Sequence, residues 1–255
     1  MIKTILQGCA NLCFPLNCAL CGQFDAATAE QPLCAACLRR IPYNQPPFCL
    51  SCSRNLTTYT EQGLCPGCVK QPNPFDRAWV LTRYEKPMTT LIRSFKFHNK
   101  TSLQHTFHRI AATFLDRYQI HLNADLIIPI PIHPVRFRER TYNQSELLAR
   151  ALSDLTATPV NTTALTKQLF TPRQSELHRN ARHSNLKGAF RLNVPAQIIN
   201  KHILLADDLL TTGATAGEAA VTLKNGGAAT VTLIALSGTG IGEKIAGQTY
   251  NALLK

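Results

Sequence analysis

The stretch Leu204-Leu-Ala-Asp-Asp-Leu-Leu-Thr-Thr-Gly-Ala-Thr215 joins an apolar run, two adjacent acids and a loop of threonine and glycine. The apolar run predicts a buried strand, and the residues after the loop predict a helix. Glycine and threonine at a helix N-terminus offer N–H groups, hydroxyls and the helix dipole to a phosphate. Carboxylates at the strand end can accept hydrogen bonds from vicinal sugar hydroxyls. One ligand that needs both is a ribose 5-phosphate.

Around this stretch, the hydrophobic pattern alternates between strands and helices. It predicts helices over residues 87–97, 103–117, 145–155 and 214–225, and strands over residues 78–84, 126–130, 203–206 and 230–236. Alternation of this kind is typical of a parallel α/β sheet. The loop with its two acids then lies at the carboxyl end of a strand, where such sheets usually bind ligands.

The chain has 255 residues, and all ten of its cysteines lie within the first 68. Eight of them form four Cys-x-x-Cys pairs: Cys18/Cys21, Cys34/Cys37, Cys49/Cys52 and Cys65/Cys68. Twelve residues separate the first pair from the second, and twelve also separate the third from the fourth. This internal repeat indicates two small units of the same kind.

Two structural zinc ions are the favoured interpretation of the repeat. Two Cys-x-x-Cys pairs supply four thiolates, which close a tetrahedral site and leave no position for a catalytic water. Disulfides and an iron–sulfur cluster are the alternatives, and the spacing leaves sequential and interleaved pairing of the knuckles open. Cys9 and Cys13, at helical i, i+4 spacing before the repeat, are interpreted as small buried residues.

The proline-rich stretch Lys70-Gln-Pro-Asn-Pro-Phe75 predicts a linker. It divides the chain into a zinc module over residues 1–75 and an α/β domain over residues 76–255. The net charge of +12 is uneven, with +2 in residues 1–75, +10 in residues 76–200 and zero in residues 201–255. A positive middle segment suits a polyanionic ligand or a nucleic acid.

No run of apolar residues is long enough to predict a transmembrane helix. The N-terminal residues 1–20 lack the continuous apolar core and cleavage site of a signal peptide. Clustered cysteines that bind metal rather than form disulfides are typical of a reducing compartment. We therefore expect a cytoplasmic protein.

The twelve residues 204–215 resemble the phosphoribosyl pyrophosphate (PRPP) motif of type I phosphoribosyltransferases. Two further stretches, Pro131-Ile-His-Pro-Val-Arg-Phe-Arg-Glu-Arg-Thr-Tyr-Asn-Gln-Ser-Glu146 and the segment from Pro172 to Phe190, narrow the resemblance. Together with the cysteine repeat, they resemble the competence protein F (ComF/GntX) family over nearly the whole chain. This resemblance implies a type I phosphoribosyltransferase-like parallel sheet flanked by helices and preceded by a double zinc ribbon.

The resemblance also implies roles for individual residues. Asp207 and Asp208 would hold the ribose hydroxyls, and a Mg²⁺ ion would bridge ribose and pyrophosphate oxygens. The 5-phosphate would be held by the loop residues Thr211, Thr212, Gly213, Ala214 and Thr215. A loop after the 126–130 strand would bring guanidinium groups to the pyrophosphate, namely those of Arg136, Arg138 and Arg140. Further cations, Arg173, Arg179, Arg182 and Lys187, would lie in a hood over the site.

One position departs from the pattern of the purine-salvage relatives. Thr211 stands where they can carry an aspartate that serves as general base, and a threonine cannot take that role at neutral pH. The sequence therefore leaves catalysis and the acceptor open. A non-catalytic, ligand-gated nucleic-acid adaptor and a metabolic transferase with a small acceptor are both alternatives.

The family resemblance further implies a role in natural transformation, on single-stranded DNA that has entered the cytoplasm. DNA-uptake or recombination proteins would then be partners. The basic middle segment contains aromatic residues on which bases could stack, namely Phe95, Phe97, Phe137 and Tyr142. Single-stranded DNA is therefore the expected macromolecular partner.

Overall fold

The computed structural model of the protein describes residues 17–18, 20–23, 33–56, 62–94, 100–169 and 187–239. In chain order, the elements in these ranges are α1 (Ala35–Arg39), α2 (Pro66–Lys70), β1 (Arg77–Arg83), α3 (Met88–Ser94), α4 (Lys100–Arg117), β2 (Leu126–Pro129), α5 (Pro134–Arg140), α6 (Gln144–Thr156), β3 (Leu165–Lys167), β4 (Phe190–Leu192), β5 (His202–Leu210), α7 (Ala214–Asn225) and β6 (Thr230–Gly238). None of the described helices is long and apolar enough to cross a membrane.

Four of the strands form one sheet in the order β1-β6-β5-β2, and every neighbouring pair is parallel. β3 and β4 form a separate antiparallel pair. The predicted parallel sheet flanked by helices is thereby confirmed. All four carboxyl ends of the sheet strands lie at one edge, so the groups that follow β2 and β5 come close together.

The two faces of the sheet belong to two apolar clusters, because successive strand residues point to opposite sides. In β5, Leu204 and Ala206 face the cluster formed by α4 and α6, whereas Ile203 and Leu205 face the cluster formed by α7 and the β3–β4 pair. Both faces of the sheet are thus covered, as parallel sheets require.

The first cysteine unit shares the core of the sheet. Cys34, Cys37, Ile41 and Tyr43 are buried in the same cluster as α4 and α6. Backbone hydrogen bonds also join this segment to β1, from Asn44 N to the Leu81 carbonyl at 3.0 Å and from Arg83 N to the Pro42 carbonyl at 2.8 Å. The second unit has a small cluster of its own, built mainly from its cysteines and Leu56. A division of the chain at residue 75 remains a prediction, and apolar contacts cross it.

Each predicted helix and strand has a counterpart in the structure, although residues 95–97 of the first predicted helix lie outside the described residues. The short elements α1, α2, β3 and β4 were not predicted, and two further places differ. Residues 131–140 were expected to form a loop, and this expectation is wrong, because residues 134–140 form α5. The two prolines and dense charges suggested a loop, but Pro134 takes the first helical position, where its missing N–H costs nothing. His133 caps the helix, and its Nδ1 accepts a hydrogen bond from Val135 N at 3.3 Å.

The strand that leads into the Asp-Asp pair is also longer than the pattern indicates. The prediction ended the strand at Ala206, but β5 runs on to Leu210 because it keeps its pairing with β6. Asp207 lies opposite Ala235 and Leu210 lies opposite Gly238 in this ladder. Both acids therefore sit on a strand rather than on a loop, and their side chains point to opposite sides of it.

Candidate functional site

The two adjacent acids lie at the carboxyl end of a central strand, with one more deeply buried than the other. Asp207 is buried, and its Oδ1 accepts hydrogen bonds from Ser145 Oγ at 3.2 Å and from Asp208 N at 2.9 Å. Asp208 is half-buried. Burial, and next the neighbouring Asp208 carboxyl, raise the pKa of Asp207 well above its ordinary value.

Ser145 reaches Asp207 because Asn143 fixes the start of α6 against the end of β2. The Asn143 side chain caps α6 by accepting from Ser145 N at 3.1 Å, and its Nδ2 donates to the Ile130 carbonyl at 2.9 Å. This junction brings the ends of β2 and β5 into one site. Ser145 was not among the predicted site residues, although Asn143 followed three residues later by Glu146 is a recognisable helix start.

The loop after the acids has the backbone that its composition predicts. Gly213 is the N-cap of the twelve-residue helix α7 and has a φ of 79°, a left-handed conformation that glycine adopts without strain. Ala214 N points towards Thr212 Oγ1 at 3.4 Å, and Thr211, Thr212 and Thr215 are half-buried. Backbone N–H groups and hydroxyls therefore gather at the positive end of a helix dipole, which is a favourable position for a phosphate.

The three predicted arginines lie on α5, and the helix separates them. Arg136 and Arg140 are four residues apart and share a face, whereas Arg138 is turned away from them and is exposed. Arg140 Nη1 donates to Gln144 Oε1 at 3.4 Å. The helical geometry therefore supports Arg136 and Arg140 as ligands of an anion in the site more than Arg138.

Two further side chains of the site appear only in the folded structure. Burial lowers the pKa of Lys167, which lies on β3. The charge of Asp207 raises that pKa, and the charge of Arg136 lowers it. Tyr142 is buried, and burial raises its pKa, while Arg140 lowers it and Asp208 raises it. Lys167 therefore lies near enough to Asp207 and Arg136 for their charges to affect its pKa. No local sequence signal marks Lys167, because strand β3 has only three residues.

The predicted hood cations and stacking aromatics are described only in part. The hood cations Arg173, Arg179 and Arg182 lie outside the described residues, as do Phe95, Phe97, Cys9 and Cys13. Lys187 is exposed at the edge of the described chain. Of the aromatics proposed for base stacking, Phe137 is exposed on α5, and Tyr142 is buried.

The raised pKa of Asp207 leads to a testable pH dependence. Because the unfolded carboxyl ionises near pH 3.9 and the folded one at higher pH, stability is full at low pH and falls as the pH rises through the raised pKa. We expect Asp207→Asn to raise the melting temperature of the ligand-free protein at pH 8 by roughly 2 to 6 °C. Thermal melts from pH 5 to pH 9 test this.

The matched control for this prediction is Asp154→Asn, which changes an exposed acid on α6. Its difference from the unsubstituted protein should stay flat with pH. The zinc ligands titrate equally in all three proteins, so their effect cancels in the comparison. A gain for Asp207→Asn that does not grow with pH would contradict a buried, hard-to-ionise carboxyl.

The eight cysteines form two separate four-thiol sites. Within each site the four sulfurs all lie within 4.8 Å of one another, and the members are Cys18, Cys21, Cys34 and Cys37 in the first and Cys49, Cys52, Cys65 and Cys68 in the second. Knuckles therefore pair sequentially, and the interleaved alternative is excluded. All eight are free thiols rather than disulfides.

The sulfur geometry fits zinc. Sulfurs are 3.9 Å apart in the pair Cys21 and Cys34 and 3.7 Å apart in the pair Cys52 and Cys65. A tetrahedral ion with Zn–S bonds of 2.3 Å separates its sulfurs by about 3.8 Å. Backbone N–H groups also point at sulfur, from Cys34 N to Cys18 Sγ at 3.4 Å and from Cys65 N to Cys49 Sγ at 3.2 Å.

The pKa values of the thiols within each site depend on one another. Hydrogen bonding from the Cys52 thiol lowers the pKa of Cys49 to about 4 against the opposing effect of burial, and the pKa of Cys52 is raised. In the first site burial works against ionisation of Cys18, but N–H groups lower its pKa to about 7, and the pKa of Cys37 is raised. Four thiolates in one site need a cation between them, which Zn²⁺ supplies.

The second cysteine site lies next to the phosphate-type loop. A cleft of about 580 Å³ is lined by Cys52, Cys65 and Cys68 on one side and by residues 210–214 on the other. The linker residues between the two also touch α7: Pro74 approaches within 3.3 Å of the position a Cβ would take on Gly217. The zinc module and the candidate ligand site therefore border the same cleft, and the linker between them packs on α7.

Fold and sites together define a class of protein: a parallel α/β domain with an acid pair and a helix-terminal anion loop, preceded by a double zinc ribbon. The family model of the double zinc ribbon domain matches residues 9–69. The DNA utilization protein YhgH of Shigella flexneri is 32% identical over 216 residues, which are 78% of this chain and 93% of that protein. Competence protein F of Haemophilus influenzae is 32% identical over 195 residues, which are 74% of this chain and 83% of that protein. The chain belongs to the family of these two proteins, and the membership predicted from its sequence is confirmed.

Solved structures with weaker likeness include two proteins of purine metabolism. A purine phosphoribosyltransferase from Pyrococcus horikoshii aligns with a TM-score of 0.33 and 12% identity, over 58% of this chain and 94% of that one. The allosteric regulatory enzyme of purine biosynthesis aligns with a TM-score of 0.35 and 16% identity, over 52% of this chain and 25% of that one. The fold assignment rests on the sheet topology and not on these alignments.

Proposed function

We propose that the protein binds PRPP together with Mg²⁺ at the carboxyl end of β5. The observation that carries this proposal is the acid pair Asp207 and Asp208 immediately before a glycine and threonine loop at the N-terminus of α7. The carboxylates would accept hydrogen bonds from the ribose hydroxyls. The 5-phosphate would lie on the loop formed by Thr211, Thr212, Gly213, Ala214 and Thr215.

The pyrophosphate of the ligand needs cations, and the site supplies them from two elements. Arg136 and Arg140 share one face of α5, and Lys167 on β3 lies near enough to Asp207 and Arg136 for their charges to affect its pKa. A guanidinium can hold two phosphate oxygens at once, which suits a pyrophosphate. Mg²⁺ would neutralise further charge between ribose and pyrophosphate oxygens. Arg138 remains predicted in this role, with less support from its position on the helix.

If the protein transfers the phosphoribosyl group, charge stabilisation would supply most of the catalysis. The bond from ribose C1 to the pyrophosphate oxygen breaks, and its electron pair leaves with the pyrophosphate. The acceptor forms the new bond at C1 and loses its own proton to solvent or to another group, because Thr211 is no general base. The three cations Arg136, Arg140 and Lys167 would stabilise the departing pyrophosphate.

In the cell, we propose that the protein acts in the cytoplasm on incoming single-stranded DNA during natural transformation. Its relatives are named competence protein F and DNA utilization protein, and this supports a role in handling DNA. The net charge of +12 favours association with a polyanion. DNA-uptake or recombination proteins would be its partners in this process.

Calorimetric titration of the zinc-loaded protein with PRPP, with and without Mg²⁺, tests the proposed function. We expect saturable binding that needs Mg²⁺ and that ribose 5-phosphate reproduces with lower affinity, since it lacks the pyrophosphate. Release of pyrophosphate on addition of an acceptor would establish a transferase. Binding without release from any acceptor would establish a ligand-gated protein, and no binding of PRPP would contradict the proposal.

A further inference from the structure

A groove lies between the first zinc ribbon and the edge of the sheet, away from the acid pair. Its volume is about 640 Å³. We call it the ribbon groove and define it by the six residues on which its chemistry depends: Tyr43, Arg39, Arg40, Arg83, Lys86 and Arg117. Five of these are cations, and they come from the zinc ribbon, from the end of β1 and from the last turn of α4.

The charges of the ribbon groove are largely uncompensated. Glu85 is the one acid among its described lining residues, and it pairs with Arg83 at 2.9 Å. Arg39, Arg40, Lys86 and Arg117 are exposed, so their charges face the groove or its rim. Four cations concentrated around one concave surface attract a ligand with several negative charges.

The floor of the groove is formed by Tyr43, which is 5% exposed. Its hydroxyl is enclosed by protein, and hydrogen bonding with Thr113 lowers the pKa of Tyr43 less than burial raises it. The Arg117 guanidinium lies over the Tyr43 ring at 4.8 Å. The ring therefore places an exposed cation above the floor of the groove, where an anionic ligand would meet it.

We infer that the ribbon groove binds consecutive phosphate groups, at a site separate from the proposed PRPP site. The favoured source is the phosphodiester backbone of a single-stranded nucleic acid, which rests on the DNA role proposed above, and the same chemistry is present in a soluble polyphosphate. Arg117, above the Tyr43 ring, would hold one phosphate, and Arg40 and Lys86 would hold neighbouring phosphates from opposite walls.

The position of the groove fits a strand that also passes the acid pair. Arg83 is the last residue of β1 and Lys86 lies three residues further on, at the same carboxyl edge of the sheet as Asp207. β1 and β5 are separated by β6 alone, which corresponds to roughly 10 Å between the two strands. A bound polymer in the groove is therefore within a few nucleotides of the proposed ribose site.

The test compares Arg40→Gln/Lys86→Gln, which removes one cation from each wall, with a matched control. Arg150→Gln/Lys201→Gln makes the same change at two exposed cations outside the groove. Binding of a fluorescent twelve-nucleotide oligothymidylate and of inorganic tripolyphosphate is measured as a function of salt. For the groove variant we expect roughly tenfold weaker binding and a salt slope smaller by about 1.4, the value for two lost phosphate contacts on a single strand.

Arg117→Gln provides a second variant, which removes the exposed cation above the Tyr43 ring. It should bind the same probes more weakly than the unsubstituted protein does. Tyr43→Phe is the control for this variant: it keeps the ring and loses only an enclosed hydroxyl, so it should bind both probes unchanged. PRPP binding should stay unchanged in all groove variants.

Each outcome of these measurements decides the proposal. Loss of either probe in the groove variants but not in the control supports the site, and the probe that is lost identifies the source of the phosphates. If the unsubstituted protein binds oligothymidylate and the groove variants bind it equally well, the groove is not the site, although the DNA role survives. If neither probe binds in a groove-dependent way, the inference is overturned whatever the result with PRPP.

Discussion

Replacing Asp207 and Asp208 together by alanine should remove measurable PRPP binding from the zinc-loaded protein. Bound Mg²⁺ is expected to favour the ionised carboxylates, each of which would then accept a hydrogen bond from a ribose hydroxyl. Hydrogen bonds to charged groups contribute about 1.5 to 3 kcal/mol each. Their joint loss corresponds to a weakening of roughly 10²- to 10⁴-fold. Titration with Mg²⁺ and PRPP measures the effect.

The buried position of Asp207 makes this experiment interpretable. Burial and the neighbouring Asp208 raise the pKa of the Asp207 carboxyl. The substitutions therefore remove a group that ionises with difficulty in the folded protein. The variant should therefore keep its fold, with a melting temperature at neutral pH no lower than that of the unsubstituted protein. Loss of PRPP binding can then be attributed to the site.

Asp154→Ala is the matched control for the loss of an acidic side chain. Asp154 is exposed on α6, and its carboxylate accepts a hydrogen bond from Gln104 Nε2 at 3.0 Å. This variant should bind PRPP as the unsubstituted protein does. Unchanged PRPP affinity in the double variant would show that the acids do not hold the ribose, and the assignment of this edge of the sheet as a PRPP site would fail.

The sequence predicted the parts of this molecule that local patterns control. Helix α7 begins at a glycine and threonine loop, and the strands around it are apolar runs of ordinary length, so both could be placed from composition and spacing. Equal spacers of twelve residues suggested sequential cysteine pairing without excluding the alternative. Only the three-dimensional structure shows which sulfurs lie close together.

The parts that could not be predicted depend on contacts between distant segments. The charge of Asp207 affects the pKa of Lys167 although forty positions separate them in sequence, and Ser145 reaches Asp207 only because Asn143 fixes α6 against β2. Arginines at every second position would all point to the same side if the segment were a strand. The segment is the helix α5, so Arg138 points away from Arg136 and Arg140. The ribbon groove combines residues from three elements and has no local pattern at all.

Removing one ligand from either zinc site should give two different outcomes, although the two sites are built alike. Cys34 and Cys65 occupy equivalent positions in the repeat, and both are N-cap residues of the short helix that follows, although only the Cys34 sulfur accepts a hydrogen bond from its helix. Each is buried to a similar degree, with 6% and 5% of its surface exposed. We therefore expect Cys34→Ala and Cys65→Ala each to bind about one zinc per chain instead of two, as measured by metal analysis.

Cys34→Ala should destabilise the whole chain. The first site belongs to the main apolar cluster, so its collapse exposes Ile41 and Tyr43 and breaks the backbone bonds to β1. Structural zinc contributes about 10 to 16 kcal/mol to the folding of small zinc modules, which is comparable to the whole stability of a domain. The sheet and the ribbon should melt together at a much lower temperature, with loss of PRPP binding as a consequence.

Cys65→Ala should leave the sheet folded and weaken PRPP binding selectively. The second site has a small cluster of its own, and it is joined to the phosphate-type loop through the linker. Asn73 Nδ2 donates to Cys68 Sγ at 3.3 Å, and the next residues, Pro74 and Phe75, pack on α7. The Phe75 ring lies 3.9 Å from the position a Cβ would take on Gly213. Loss of the metal therefore frees the residues that support the loop.

The expected size of this second effect follows from the entropy of ordering the loop again. Fixing the backbone of one residue costs about 1 to 2 kcal/mol, so a loop that must order one residue on binding would bind PRPP about ten times more weakly. Thermal melts and PRPP titrations on both variants separate the two effects. If Cys65→Ala lowers the melting temperature as much as Cys34→Ala does, the second ribbon is part of the main folding unit. If it binds PRPP as tightly as the unsubstituted protein, the linker does not support the loop, and the contact between Phe75 and α7 serves packing alone.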